Sequence, residues 1–320
     1  MDASSIRIPG YRGPINPNPN PPDGEARISI YLYRPWLAAG IVGAAVFGLV
    51  MLVQLWYMLR RRGTRWFHGL LAFGALMEVG GYAARIKGYQ NMFRVYVFVA
   101  SYFLIVVAPI PIAAAIYLML TYAASRWPNG RRLLVMPPKV MVTLFITVDI
   151  ITIAVQVLGA AMVGVVQTKL NRNERAPMTI KTAGYILLAG LAVQTAFFTT
   201  FMLLLLLAIT RVPRLELPPG LARPLRMLLY SNLAAGFFVL LRTVYRLAVE
   251  CQGYFGSANS SQTLFTVFEM VPVIVAMTIL SAVPVARWFP KAEHLEHLEH
   301  PEQTSQAWQT QSDVTHEVKD

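Results

Sequence analysis

The chain has 320 residues, of which 56% are hydrophobic and only 14% are charged, and its mean hydropathy is +0.49. Soluble domains are nearer half apolar and a quarter charged, and a single soluble core stops growing at about 250–300 residues. These values exclude an ordinary water-soluble globule. The net charge of +12 would suit nucleic-acid binding, but the basic residues mostly lie between long apolar runs, as in loops at a lipid surface. We therefore expect a membrane protein without a nucleic-acid partner.

The N-terminal 34 residues form a polar, proline-rich segment that includes the run Asn16-Pro-Asn-Pro-Asn-Pro-Pro. Each proline lacks a backbone donor and restricts the residue before it, so this run cannot form a helix. We predict residues 1–34 to be an extended, disordered extracytosolic tail. The segment lacks the apolar core and small-residue cleavage site of a signal peptide, so the first hydrophobic run is expected to be the targeting signal.

Seven apolar runs follow, each near the length of about 20 residues that crosses about 30 Å of hydrocarbon. They are Pro35–Leu59, Phe67–Ala84, Val95–Tyr122, Val140–Val166, Tyr185–Thr210, Met227–Val249 and Leu264–Val285. A transmembrane β-barrel would instead show alternating segments of about ten residues. The sequence therefore predicts an all-α, polytopic membrane protein, with a seven-helix transmembrane bundle over residues 35–286.

The basic residues in the loops predict the orientation of this bundle. The loops after spans one, three and five hold 12 basic residues near the span ends, and the loops on the opposite side hold 7. The positive-inside rule places the richer set in the cytosol, which puts the N-terminus outside and the C-terminus inside, although the N-terminal tail adds four arginines outside. The glycosylation sequon at Asn259, between spans six and seven, lies on the predicted outer side.

The residues after Ala286 include seven acidic and three basic side chains. We predict residues 287–320 to be an acidic cytosolic tail, mostly disordered. His294, His297 and His300 recur every third residue in this tail, which allows a metal-binding or pH-sensing role. We favour a solvated helix or disordered segment instead, and we expect no metal ion or other cofactor. The single cysteine, Cys251, excludes an intrachain disulfide and a thiolate cluster.

Ionisable and amide side chains inside the predicted spans are the candidate functional groups. A charge near the bilayer centre costs about 2.5–3.5 kcal/mol on insertion scales, so such residues usually face the bundle interior and have a partner. At about 1.5 Å per residue, four of them lie about 5–10 Å below the outer surface. These four are Glu78, Arg242, Arg246 and Glu269. Gln156 and Gln194 fall near mid-bilayer, Asp149 lies about 25 Å from the outer surface, and Arg85 lies at the outer edge.

The least costly arrangement of the outer layer pairs Arg242 or Arg246 with Glu269 and Glu78, because an unpaired buried charge is far less favourable than a paired one. Such a layer has two interpretations. It is either a polar pocket that holds the head group of an amphiphile, or a structural ion-pair network that fixes helix register. The residues alone favour neither.

Motifs of several enzyme and transporter classes are absent from the sequence. There is no Gly-x-x-x-x-Gly-Lys phosphate-binding loop, no His-Glu-x-x-His and no Gly-x-Ser-x-Gly elbow. Span seven has no lysine for a retinal Schiff base, and His68 is the one histidine near a span. We therefore expect no ATP hydrolysis by a phosphate-binding loop and no histidine-based intramembrane catalysis.

Short motifs in spans two to six occur in an order that resembles the fungal RTA-like family of seven-span proteins, also called lipid-translocating exporters. They are Glu78-Val-Gly-Gly81-Tyr82-Ala-Ala-Arg85; Ala108-Pro109 with Ala115-Ile116-Tyr117; Asp149, Gln156 and Gly159; Gly190-Leu191-Ala-Val-Gln194; and Arg242-Thr-Val-Tyr245-Arg246 followed by Gln252-Gly253. The chain departs from the family pattern at Glu250, which is one residue later than usual, and at Ser261-Gln262, where the family often has His-Glu. Glu269 replaces a usual Asp.

The resemblance implies a fungal multi-pass protein, expected in the plasma membrane, whose partners are membrane lipids or amphiphilic small molecules. It implies resistance to a sphingoid base, sterol-like toxin or small metabolite by export or movement between leaflets, without enzymatic activity. A seven-span lipid or stress sensor and a structural membrane protein stay open as alternatives. The expected substrate-binding residues are Glu78, Tyr82, Arg85, Asp149, Gln156, Gln194, Arg242, Tyr245, Arg246 and Glu269. No protein partner follows from the sequence.

Overall fold

The computed structural model describes residues 14–18, 21–22, 24–26, 29, 31–171, 178–215, 217, 220–253, 256 and 259–282. Over these residues the chain forms seven long helices and a few short helical turns. The seven are α1 (Leu37–Arg60), α2 (Arg65–Gln90), α3 (Val95–Arg126), α4 (Pro138–Asn171), α5 (Ile180–Arg211), α6 (Ala222–Gln252) and α7 (Gln262–Ala282). The all-α fold predicted from the sequence is therefore confirmed.

Six of these helices, all except α2, are long and apolar enough to cross a membrane. Consecutive helices pack against one another from α1 to α7, and α7 contacts α1, so the bundle closes on itself. The second half of α3, Pro109–Arg126, contacts α2, α4 and α6 and has most of its side chains buried. It therefore forms the centre of the bundle, while the other helices expose large apolar side chains on their outer faces. The chain is an integral, multi-pass membrane protein.

Helix α2 carries three of its polar side chains, His68, Glu78 and Arg85, on its buried face. The buried positions recur every three or four residues, from Phe67 through Leu71, Glu78 and Arg85 to Gly88. Three to four residues correspond to one helical turn, so these positions form one stripe. The sequence predicted that this span ends at Ala84, but the helix continues to Gln90. The added turn carries Arg85 on the stripe, where hydrogen bonds and aromatic rings surround its charge.

Helix α3 is interrupted at Ala108, between Val95–Val107 and Pro109–Arg126. Pro109 has no N–H, so the carbonyl of Ile105, four residues earlier, lacks its ordinary helical donor. This carbonyl accepts a hydrogen bond from Arg242 Nη2 on α6 at 2.7 Å instead. The proline thus creates a backbone acceptor inside the bundle, and a buried arginine uses it.

Helix α7 is also irregular near its beginning. Ser261 caps the helix by accepting from the N–H of Leu264, and a π-helical turn follows over Thr266–Met270. Pro272, just after this turn, cannot donate to the carbonyl of Phe268. π-Helical turns are rare and occur often at functional sites. Glu269 lies inside this turn.

Helices α4 and α5 approach each other closely at two glycines. A side chain at Gly159 would place its Cβ 2.6 Å from the backbone nitrogen of Leu187, and one at Gly190 would place it 2.8 Å from Cγ of Gln156. Neither contact leaves room for a methyl group. Small residues at such positions allow helix backbones to pack closely in a membrane.

Part of the N-terminal segment packs on the bundle. Tyr31 and Leu32 are buried, the ring of Tyr31 stands edge-on to Phe98 of α3, and Glu25 forms a β-bridge with Arg94. The proline content gave no indication of these contacts. The predicted domain boundaries at residues 34 and 286, and the orientation of the bundle, stay predictions. The acidic tail with His294, His297 and His300 lies outside the described residues.

Two helical glycines provide a matched test of the α4–α5 contact. Gly159→Ala is expected to destabilise the protein by about 1–3 kcal/mol, because the added methyl forces the helices apart. Gly184→Ala on α5 meets open space and is expected to be neutral or slightly stabilising. Thermal unfolding of detergent-purified variants measures both effects, and equal midpoints for the two variants would contradict the close approach.

The orientation can be tested at Cys251, an exposed cysteine in the last turn of α6. The predicted topology places it on the extracytosolic side, so a membrane-impermeant maleimide should label it in intact cells. Cys251→Ser removes the single cysteine of the chain and controls for background labelling. Labelling that requires permeabilised cells would reverse the predicted topology.

Candidate functional site

A cluster of three buried charged side chains joins α6 and α7. Arg242 Nη2 lies 3.0 Å from Glu269 Oε1, and Arg246 Nη1 lies 3.4 Å from Glu269 Oε2. All three residues are less than 10% exposed. We call Arg242, Arg246 and Glu269 the ion-pair cluster. One turn separates the two arginines, so both guanidinium groups extend from the same face of α6 toward one carboxylate.

Further contacts link the ion-pair cluster to α3. Arg242 also donates to the freed carbonyl of Ile105, and Arg246 lies over the ring of Tyr102, with 4.6 Å between Cζ and the ring centroid. The hydroxyl of Tyr102 in turn donates to Glu250 Oε1 at 3.1 Å. The Nε–H groups of Arg242 and Arg246, however, are buried and have no hydrogen-bond partner among the described residues. The cluster therefore keeps two unused donors.

Glu78 lies near the ion-pair cluster but is not bonded to it. Its side chain is 2% exposed and interacts electrostatically with Arg242 and Glu269. Among the residues that the structure describes, it forms no salt bridge, because Glu269 takes both arginines. Pairing through Glu78, which the sequence favoured, is therefore not observed. Glu78 is thus a buried carboxyl group that no side chain of the described ranges pairs with ionically.

Arg85 lies at the same end of the bundle, two turns along α2 from Glu78. Its Nη2 donates to the hydroxyl of Tyr33 at 2.9 Å and to Oε1 of Gln262 at 3.1 Å. Its Cζ lies 3.9 Å from the ring centroid of Phe265 and 5.4 Å from that of Tyr31. Burial raises the pKa of the Tyr31 phenol, so this ring stays neutral at physiological pH. The groups that contact Arg85 are thus uncharged.

Two small cavities adjoin these charged groups. The first lies between Arg85, Arg246 and Glu269 and has a volume of about 20 Å³, enough for one water molecule. The second, of similar size, lies between Arg246, Tyr245 and Asn259, and Tyr33 lines it as well. The N-terminal segment covers this end of the bundle through Tyr31 and Tyr33. In this conformation a head group of an amphiphile does not fit, so binding requires that the segment or the helices move.

A second polar group lies in the aromatic centre of the bundle. Tyr117 on α3 donates to Oδ2 of Asp149 on α4 at 2.9 Å, and the Asp149 side chain is buried. Gln156 Nε2 donates to Oε1 of Gln194 at 2.7 Å, which joins α4 to α5. Rings of Phe145, Phe198 and Phe201 pack around Tyr117. These polar pairs form a group of their own, separate from the ion-pair cluster.

A third polar group was not predicted from the sequence. Gln54 on α1 is fully buried; it donates from Nε2 to the hydroxyl of Ser281 on α7 at 2.7 Å, and its Oε1 lies 2.7 Å from Nδ1 of His68 on α2. Tyr57 stacks on the His68 ring, and His68 Nε2 is buried without a partner in the described part of the chain. The sequence feature that could have predicted this group is Gln54, an amide side chain within the apolar first span.

The remaining predicted residues occupy packing positions near these groups. Tyr82 is buried and stacks on Phe47 of α1 at 5.6 Å. Tyr245 stacks on Phe268 at 5.2 Å, and Asn259 lines the second cavity. The structure therefore brings Arg242, Arg246 and Glu269 into contact and places Glu78 and Arg85 close by. It separates them from Asp149, Gln156 and Gln194.

These features define a polytopic α-helical membrane protein with buried polar groups at several heights in the bundle. A family model described as "RTA1 like protein" matches residues 71–292, and the chain belongs to this family. The resemblance found in the sequence motifs is thereby confirmed. No solved structure matches the chain.

Named relatives from Saccharomyces cerevisiae are about a quarter identical to this chain over the aligned residues. Protein RTA1 is 24% identical over 276 residues, which cover 78% of this chain and 83% of the relative. Protoporphyrin uptake protein 1 is 26% identical over 209 residues, 65% of each chain. The sphingoid long-chain base transporter RSB1 is 25% identical over 171 residues, 53% of this chain and 42% of the relative.

The central role of Glu269 leads to a stability prediction. Glu269→Gln leaves two buried arginines without a carboxylate and is expected to destabilise the protein by about 3–5 kcal/mol, visible as loss of the monodisperse peak in size-exclusion chromatography. Glu250→Gln is the control, because the glutamine oxygen still accepts from Tyr102. Similar profiles for the two variants would show that the ion-pair cluster does not hold α6 and α7 together.

Proposed function

We propose that the protein is a plasma-membrane transporter that moves a lipid-like amphiphile out of the cell or between leaflets. In this proposal the polar head group enters the bundle at the ion-pair cluster while the apolar tail stays in lipid. The observation that carries the proposal is the cluster itself, with two buried arginine donors unused and a water-sized cavity beside it. A ligand or water in the cavity can take the Nε donor of Arg246 without breaking the salt bridges.

The helices around the ion-pair cluster favour movement over a purely structural role. The break at Ala108 lies on one side of it and the π-helical turn at Thr266–Met270 on the other. Such irregular turns lack part of the regular helical hydrogen bonding and often occur at functional sites. They provide places where the bundle can open far enough for a head group.

The named relatives support the same class of function. One is named as a transporter of sphingoid long-chain bases and another as a protoporphyrin uptake protein, and both substrates are amphiphiles. Because the sequence has no phosphate-binding loop, we propose that an ion gradient, the membrane potential or sequestration outside the cell drives transport. The proposal includes no enzymatic step and no cofactor, and cells that express the protein should resist the transported compound.

Reconstitution tests the transport activity directly. The purified protein is placed in liposomes that contain fluorescent long-chain base, phosphatidic acid or N-acyl aspartate, and a membrane-impermeant quencher follows each probe as it changes leaflet. At least one probe should move several-fold faster than in protein-free liposomes. If none does, while cells that express the protein still resist amphiphiles, the proposed transport is wrong and a sensor role is favoured.

Glu78 separates the transport role from a structural one. Glu78→Gln keeps the size of the side chain and removes no salt bridge or hydrogen bond seen among the described residues, so the free energy of unfolding should change by less than about 1 kcal/mol. Transport of long-chain base in liposomes, and resistance of cells to it, should fall at least tenfold if the carboxyl group holds the amine head group. The exposed Arg94→Gln variant, which loses a surface pair with Glu25, controls for a general effect of removing charge. Loss of expression in Glu78→Gln with unchanged transport per folded molecule would favour the structural interpretation.

A further inference from the structure

In the part of the chain that the structure describes, no carboxylate pairs with the charge of Arg85. The side chain is 6% exposed, and its hydrogen-bond acceptors are the Tyr33 hydroxyl and the Gln262 amide oxygen. No salt bridge to Arg85 occurs within the described ranges of the chain. A buried guanidinium group in such surroundings lacks the partner that most buried charges have.

The carboxylates of the neighbourhood are already engaged or lie too far along the helix. Glu269 lines the same cavity as Arg85, but its two oxygens contact Arg242 and Arg246. Glu250 accepts from Tyr102. Glu78 lies seven residues before Arg85 on α2, which corresponds to about 10 Å along the axis. None of these groups contacts the Arg85 guanidinium.

Aromatic rings make this unmatched charge tolerable. Phe265 lies 3.9 Å from Cζ of Arg85, and Tyr31 and Tyr33 lie within 6 Å. Such cation–π contacts stabilise a buried guanidinium group, but the rings carry no net negative charge, unlike a carboxylate partner. The rings therefore hold the guanidinium in place without neutralising it, and the group retains the capacity to bind an anion.

We propose that Arg85 binds an anionic head group, a carboxylate or a phosphate monoester, so that the transported amphiphile is preferentially an anion. This inference rests on the transport function proposed above and specifies the charge of its substrate. The anion takes the position of the Tyr33 hydroxyl, 2.9 Å from Nη2, and reaches the unused donor of Arg246 across the shared cavity. Arginine suits this role because its planar donors match carboxylate and phosphate oxygens.

Tyr33 is the residue that an entering anion has to displace. It is only half-buried, it lies on the N-terminal segment outside the helices, and it also lines the second cavity. Displacement of this side chain would open a route from the outer end of the bundle to Arg85. When Tyr33 moves away, Arg85 exchanges a hydrogen bond to a neutral hydroxyl for one to an oxyanion. A hydrogen bond between two charged groups is the stronger of the two.

Gln262→Glu tests the proposal with a change of almost no volume. The new carboxylate takes the position of the Gln262 amide oxygen, which accepts a hydrogen bond from Arg85, so the protein itself supplies the negative charge that neutralises the guanidinium group. The liposome assay compares phosphatidic acid and N-acyl aspartate with long-chain base, and fluorescence titration in detergent measures binding of each probe. We expect the ratio of anion to amine transport, and the affinity for both anions, to fall at least tenfold.

Thr263→Glu is the matched control, because Thr263 is the adjacent residue and its side chain is exposed. It adds the same charge at the same end of the bundle and should leave the ratio unchanged. An equal fall in both variants would indicate a general surface potential and would overturn the site at Arg85. A response of one anion probe alone would identify whether the site is specific for phosphate or for carboxylate.

Tyr33→Phe provides a second test if Gln262→Glu does not fold. It removes the hydroxyl that competes for Arg85, so affinity for the anionic probes should rise several-fold; unchanged or weaker binding would overturn the proposal. Binding also distinguishes the two proposals. Transport of long-chain base without binding of either anion contradicts the anion site alone, whereas anion binding without transport of any probe contradicts the proposed transport function.

Discussion

The Glu269 carboxylate, shared by two buried guanidinium groups, is the interaction on which this bundle depends. Without this pairing, two cations and one anion would be buried inside the membrane with neither water nor an ionic partner. Leaving a buried charge unpaired in this way is strongly destabilising. The backbone is arranged around this requirement. Pro109 frees the carbonyl of Ile105 for Arg242, and the π-helical turn of α7 carries Glu269. Helices α3, α6 and α7 are thereby held at one height and in one rotation.

The same arrangement is compatible with the proposed site for an amphiphile, although the two cavities beside the charged groups of the described residues are each only about 20 Å³. The salt bridges fix the helices. Arg85 and Arg246, whose Nε donor is unused, line a water-sized cavity, while Glu78 and the unused Nε donor of Arg242 are buried beside the ion-pair cluster. In the proposed function, the salt-bridge atoms therefore stabilise the bundle, and the unused groups beside them bind the head group. The N-terminal segment contributes Tyr31 and Tyr33 to the lining of these cavities, so it belongs to the folded structure at this end of the bundle.

The polar pairs deeper in the bundle have a different character. Tyr117–Asp149 and Gln156–Gln194 each use one direct hydrogen bond between neighbouring helices, and Gly159 and Gly190 bring α4 and α5 close enough for the amide pair. Gln54, His68 and Ser281 connect α1, α2 and α7 in the same way. Hydrogen bonds of this kind are modest individually, but they fix helix register where apolar surfaces alone would allow sliding.

The sequence by itself determined the number and order of the helices and identified the buried polar side chains as the important ones. A run of about twenty apolar residues in a bilayer forms a spanning helix, and a charge within it has to face the bundle interior. It also placed Arg242, Arg246 and Glu269 in one layer, since helical rise converts residue number into depth. Only the tertiary structure decided that Glu269 takes both arginines while Glu78 takes none, that Arg85 belongs to the second helix and contacts neutral groups, and that Gln54 meets His68. Those outcomes depend on helix rotation and on backbone irregularities at Pro109 and Thr266–Met270, which periodicity does not encode.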